Sequence, residues 1–336
     1  MILRKLSFSF LLIALFAGCV SNPLDIDATD IKVELNFVNV DSTLFYADSS
    51  TLIQSHRTFK SEIEDIYAYE IGYCLRIGDV VDSAFYNSIM QFRADTMIQK
   101  LETGIQSKFT DKTEMNAKIT EGFKHLKYHF PDGKQPKHIA YMNMLFNSGV
   151  FCTENEIGVG LDRFLGASNE VVKQLNPAYY FDWMKKAMDE RYIERDVLTG
   201  WIETHYLEEV NGNLAEHMVR AGKVLYLTEA AFPEEDPALI LRYSEEDYKW
   251  ALKNEYAFWK YLADEKLLFK IDEKTIANMI SEGPFTPGLP DQDGPDRLGQ
   301  FIGWRMIHSY MEQNDISLKE LIELPYNEIL QAYEID

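Results

Sequence analysis

Cysteine is scarce: three in 336 residues, at 19, 74 and 152. That excludes a disulfide-dense scaffold, and the spacings fit no zinc ribbon. Positive charge is also short. Lys and Arg number 33 against 54 Asp and Glu, a net charge of −21, so nucleic acid and anionic lipid headgroups are excluded as partners of the general surface. Beyond the first residues no apolar run is long enough to span a membrane. The chain has no G-x-S-x-G elbow, Walker loop or G-x-G-x-x-G, no internal repeat and no low-complexity segment. What remains is an ordinary folded composition, 46% apolar and 26% charged, with length for one large domain or two small ones.

The N-terminus is a lipoprotein signal. Arg4 and Lys5 precede the apolar run LSFSFLLIALFA at 6–17, and Ala17 and Gly18 stand directly before Cys19. A basic start, a short apolar stretch and small residues at the end form a secretory signal; Phe16, three places before the cysteine, is a less usual choice there. Cleavage before Cys19 and acylation of its thiol, palmitate among the chains, would anchor the protein without spanning. Loss of Arg4 and Lys5 takes the charge from −21 to −23. Residues 19–30 are polar and read as a tether, and 31–336 as one domain, since no Pro- or Ser-rich linker divides them. Cys74 and Cys152 are expected as buried free thiols, although a pair is open to them outside the cytoplasm.

Along the body, IKVELNFV at 31–38 alternates with period two and predicts a strand. Residues 51–130 read as helical. One helix should start at Asp111, with Glu114 completing a capping box, and end before Pro131. Short apolar runs between 137 and 163 predict adjacent strands. From Pro177 the pattern is helical, with start signals at Asn213/Glu216, Ser244/Asp247, Asp272 and Ser317/Glu320 and a stop at Gly283-Pro284. GPFTPGLPDQDGP, 283–295, holds four prolines and three glycines, which makes it a stiff loop of a length often used functionally. Pro284, Thr286, Pro287 and Gly288, with Arg297 just beyond, are its candidate residues; a plain surface connector is the other reading. Asp296 should cap the next helix. In it Gly299 and Gly303 share a face, so another element should pack very close there.

Several phrases occur in a particular order: FKHLKYHFPDGKQPK (123–137), ENEIGVGLDRFLG (154–166), GKVLYLTEAAFP (222–233), NEYAFWKYLADEKLLF (254–269), EGPFTPGLP and DRLGQFIGWRMIHSYM. In these the chain resembles the gliding motility lipoproteins of the GldB family, well over 120–314 and loosely before that. The resemblance implies a cell-envelope lipoprotein on the periplasmic side of a membrane. It further implies service to gliding or the linked type IX secretion apparatus, contact with other envelope proteins, and no settled enzymatic activity.

The layout is also similar to predicted zinc peptidases of zincin-like fold, which carry HExxH on a helix. Here the corresponding residues are Trp201, Ile202, Glu203, Thr204 and His205, so the first histidine and the glutamate are replaced. A later Glu-Gly-Leu-Ala phrase corresponds to Ala221-Gly222-Lys223-Val224, without its acid. His205, Glu216 and His217 are the remaining metal candidates, and Glu216 and His217 diverge by about 100° on a helix. His125 and His129, four apart, lack an acidic partner and read as a core-edge pair; His308 reads as packing. The expectation is an α+β, mainly helical, zincin-like body with a small mixed sheet, without metal or other cofactor, serving as a non-catalytic scaffold. The alternative is a lipid-anchored metal-dependent peptidase or cell-wall hydrolase with an atypical site. A small-molecule-binding lipoprotein, permitted by the aromatic content, is the third reading.

Overall fold

The computed structural model describes residues 22–78, 85–289 and 294–333. The signal sequence and Cys19 lie outside the described residues. Four strands, β1 (Asn36–Asn39), β2 (His138–Met142), β3 (Val150–Cys152) and β4 (Glu156–Gly160), form one mixed sheet in the order β1-β2-β4-β3. β1, β2 and β4 run parallel, and β3 closes the edge antiparallel to β4. The central strands are apolar on both faces because both are covered. Ile139, Tyr141, Ile157 and Val159 enter the larger core. Ala140 and Met142 enter a second core with Leu44, Ile63, Ile66 and Ile71 from the N-terminal helices.

The strand expected over 31–38 is confined to Asn36–Asn39, because its partner starts only at His138, opposite Asn36. The described part of the 19–30 segment lies against the body. Leu24 and Ala28 are buried, and Asn22 donates to the Pro233 carbonyl at 3.0 Å. Cys74 is buried and Cys152 half-buried; both are free, and burial pushes each thiol up to about 12.

β1 returns to β2 through a long helical crossover, as parallel neighbours require. It ends in α1 (Thr96–Lys108) and α2 (Thr113–His129). The capping box expected at Asp111 does not form. Lys112 holds the cap position with no side-chain bond, and Asp111 instead accepts from the Thr113 N–H at 2.9 Å.

After the sheet come α3 (Ile193–His205), α4 (Leu214–Ala231), α5 (Glu245–Asp264), α6 (Glu273–Ile280) and α7 (Leu298–Gln313). Four start signals are realised. Asn213 accepts from the Glu216 N–H and Asp272 from the Thr275 N–H, while Ser244/Asp247 and Ser317/Glu320 form complete capping boxes. α6 stops at Ile280, just ahead of Gly283-Pro284.

Fourteen of the eighteen residues of α4 are buried, which makes it the hub of the larger core rather than an amphipathic surface helix. α4 and α7 meet backbone to backbone. A Cβ on Gly303 would lie 1.8 Å from the Met218 carbonyl oxygen, and one on Gly222 2.2 Å from the Gly303 carbonyl carbon. Gly299 presses likewise on Met279. The close approach expected of this glycine face is present. Among the described residues no helix is long and apolar enough to cross a membrane.

Candidate functional site

α3, α4, the start of α7, the edge strand β3 and the segment after α6 enclose a cavity of about 500 Å³. Its wall holds five arginines: Arg163, Arg195, Arg220, Arg242 and Arg297. Three carboxylates share the wall, Asp196, Glu203 and Glu282. In a chain this acidic, such a gathering of guanidiniums is the most distinctive local chemistry.

Each arginine comes from a different element. Arg163 lies on the 3-10 turn Leu161–Phe164 that follows β4. Arg195 and Asp196 open α3, and Asp196 bridges Arg195 at 3.0 Å and Arg242 at 3.3 Å. Arg195 also donates through Nε to the Ile240 carbonyl at 2.8 Å. Arg220 on α4 pairs with Glu203 at 3.1 Å and donates to the Glu208 carbonyl. Arg242, at φ 53°, pairs with Glu282 at 3.1 Å and stacks over Tyr192. Arg297 pairs with Asp296 at 3.0 Å and donates to the Arg242 carbonyl. The Arg163 side chain alone of the five makes no hydrogen bond or ion pair among the described residues.

The field inside is positive. Glu282 reports it: burial by itself would raise its carboxyl, yet Arg242, Arg297, Arg163 and Arg195 outweigh that and hold it below its ordinary value. Burial lowers Arg195, with Asp196 pulling it back up; a guanidinium stays charged in either case.

The proline-rich loop forms a neighbouring wall. Pro284, Pro295 and Asp296 line an adjoining cavity of about 450 Å³ that shares Arg242, Arg297 and Glu282 with the first. Thr286 is buried and staples the loop. Its N–H and Oγ1 both donate to the Pro295 carbonyl, and its Oγ1 accepts from the Leu298 N–H at 3.1 Å. Asp296 is therefore not the cap of α7. Arg297 occupies that position in the left-handed region, φ 53°, and the Asp296 carboxylate accepts from the Gly283 N–H instead. Pro287 is half-buried. Gly288 takes φ +91°, and its carbonyl accepts from Tyr261.

The metal candidates do not converge. His205 and His217 border a broad groove next to the arginine cavity, whereas Glu216 faces a different depression beside Lys223. His205 Nε2 lies 2.9 Å from the Thr153 carbonyl oxygen, and its ring lies tilted against Trp201, with centroids 3.8 Å apart. Trp201 Nε1 in turn donates to the Lys134 carbonyl. Among the described residues no three His, Cys, Asp or Glu side chains form a set able to hold a metal ion. His125 and His129 sit at the edge of the core, but the pair is not without an acidic neighbour: Glu121, one turn earlier, comes within 3.9 Å of His125 Nε2. His129 is pushed down to about 4, first by burial and then by His125. His308 is 2.7 Å from Glu229, which also accepts from Trp304 Nε1.

Of the five cavity arginines, sequence reasoning reached only Arg297, through its loop. The available signal was adjacency to aspartate, in Asp162-Arg163, Arg195-Asp196 and Asp296-Arg297. Such a pair marks a guanidinium with a fixed neighbour but says nothing about which distant arginines share a wall.

Fold and site together define a mainly helical α+β protein built around a cationic cavity. Searches of curated proteins and of solved structures give no match. The family model of gliding motility protein GldB matches residues 21–334, nearly the whole chain, and the protein belongs to that family of lipoproteins.

Proposed function

We propose that the protein serves surface gliding, and the type IX secretion linked to it, as a lipid-anchored envelope component that binds other molecules rather than hydrolysing them. Family membership supports the gliding role. The signal sequence and Cys19 support an anchor made of lipid on the periplasmic side of a membrane, and other envelope proteins are its natural partners. One observation carries the non-catalytic part. His205, the last residue left from a metal-binding helix motif, is committed to the Thr153 carbonyl and the Trp201 ring, while the cavity beside it is lined by cations. A mixed sheet with an antiparallel edge, followed by α3, supports a zincin-like layout whose metal ligands have been replaced. Cationic walls repel a metal ion and favour anions.

The test is genetic. Deleting the gene in a gliding strain should abolish colony spreading and reduce secretion of cargo proteins, and a plasmid copy should restore both. A deletion strain that spreads and secretes like its parent would overturn the proposal.

A further inference from the structure

We propose that the arginine cavity is a binding site for a small monocarboxylate with a short apolar body. This stands independently of the gliding assignment.

Charge comes first. Asp196, Glu203 and Glu282 line the cavity, and Asp296 pairs with Arg297 from behind. Four carboxylates thus answer five guanidiniums, which leaves a surplus of one positive charge. Arg163, half-buried and with no side-chain hydrogen bond or ion pair among the described residues, carries it. Its planar fork offers five N–H donors and cannot be discharged. A carboxylate meets such a fork with two parallel bonds. A phosphate dianion would overshoot the surplus and face the four carboxylates already present.

The protein also supplies a carboxylate of its own as an illustration. Glu282, with a side chain 47% exposed, sits on Arg242 at 3.1 Å where the cavity meets solvent. Its depressed pKa shows that this field favours an ionised carboxyl group.

Shape and lining supply the rest. A volume of about 500 Å³ lies within the range of small-molecule sites. Beyond the charged groups the wall is mixed: Thr199, His217 and Gln300 are polar, while Phe164, Met184, Met188, Val224 and Leu225 supply an apolar part. An acid with a few carbons behind its carboxylate uses both the arginines and that apolar part.

Isothermal titration calorimetry on the full chain in nonionic detergent, at low salt, tests this with hexanoate, hexanamide and inorganic phosphate. Hexanoate should saturate one site per chain. Hexanamide and phosphate should each bind about tenfold weaker or less, the amide because it lacks the charge that strengthens the hydrogen bonds. Arg163→Gln should weaken hexanoate by about tenfold while its melting temperature stays within about 2 °C of the parent. Glu282→Gln, which removes the competing carboxylate, should tighten hexanoate severalfold.

Absence of saturable hexanoate binding would overturn the proposal, as would hexanamide binding equally well. Phosphate binding more tightly than hexanoate would overturn the carboxylate assignment. Unchanged affinity in folded Arg163→Gln would do the same for the role of that residue. Should Arg163→Gln fail to fold, weaker or unchanged binding by Glu282→Gln counts against the site.

Discussion

Two regions of this molecule bury charge in opposite ways. Where the N-terminal helices meet the C-terminal ends of β2 and β4, Asp41, Glu70, Glu102 and Asp162 are all buried, and none forms an ion pair among the described residues. Burial raises them: Asp41 and Asp162 to about 6, Glu102 to about 7, and Glu70 well above its ordinary value. Among the described residues neither Glu70 oxygen makes a well-formed hydrogen bond, and the nearby Asn143 N–H offsets only part of the effect of burial. In the other region the arginines are paired one by one, and only Arg163 is left over. The chemistry of the two groups explains the contrast. A carboxyl group can take up a proton and enter the interior neutral, whereas a guanidinium cannot lose one and must be matched. The regions meet at the Asp162–Arg163 peptide bond. Asp162 turns inward, where the N–H groups of Met144 and Phe146 donate to it, while Arg163 faces the cavity.

The largest effect should come from the backbone that supports the arginine region. Arg220 lies on α4 and Arg297 begins α7, so the cavity depends on the crossing at Gly222 and Gly303. The Cβ of Gly303→Ala would collide with the Met218 carbonyl, part of the helix backbone, and neither side can yield as a flexible side chain would. We expect a loss of about 3 kcal/mol or more in urea unfolding, together with loss of ligand binding. The pH response of the acid region should survive. A loss below about 1 kcal/mol would mean that the crossing adjusts easily and that the arginine region does not rest on it.

The acid region should reveal itself through pH. Its folded pKa values lie above those of the unfolded chain, so the native state holds protons that the unfolded state has released. Stability from these groups is complete below about pH 4 and is lost as pH rises through 6 to 7 and beyond. His129, pushed down to about 4, works in the opposite direction up to about pH 6.5, and Lys223, lowered by burial to about 8, acts mainly above that value. The fall is therefore read between pH 6.5 and 8, where the melting temperature should drop by about 3 °C. The arginines contribute nothing in this window. Glu70→Gln should flatten the slope and raise stability at pH 8 by about 1–2 kcal/mol. An unchanged slope would show that Glu70 does not carry the pH response of this region.

How much of this was legible depends on distance along the chain. The caps at Asn213, Ser244, Asp272 and Ser317 could be read because donor and acceptor lie within three residues. The strands between 138 and 160 were visible as short apolar runs, and the glycine face of α7 through its spacing of four. The cap of α7 was misread because its acceptor, Thr286 Oγ1, arrives from twelve residues upstream. The 31–35 stretch alternates like a strand, but no strand among the described residues runs beside it to pair with; Lys127 reaches its backbone, at the Lys32 carbonyl. Neither charged region could be seen. Arg163 and Arg297, or Asp41 and Asp162, are brought together only by the sheet and the crossing helices, and no local pattern encodes that meeting.

The smallest effect should come from His205, which borders the groove next to the arginine cavity without lining the cavity itself. Burial lowers its pKa, with the Thr153 bond pulling it up and Lys134 pulling it down. The neutral ring donates through Nε2 to the Thr153 carbonyl and tethers the end of α3 to the turn after β3. His205→Ala removes one such bond and the contact with Trp201, so it should cost about 1 kcal/mol in thermal unfolding. Hexanoate affinity should stay as in the parent. Arg163→Gln should do the reverse, sparing stability and losing ligand. If His205→Ala weakened hexanoate as much as Arg163→Gln does, the site would extend from the arginine wall into the groove along β3, and the separation of packing histidine from binding arginine would fail.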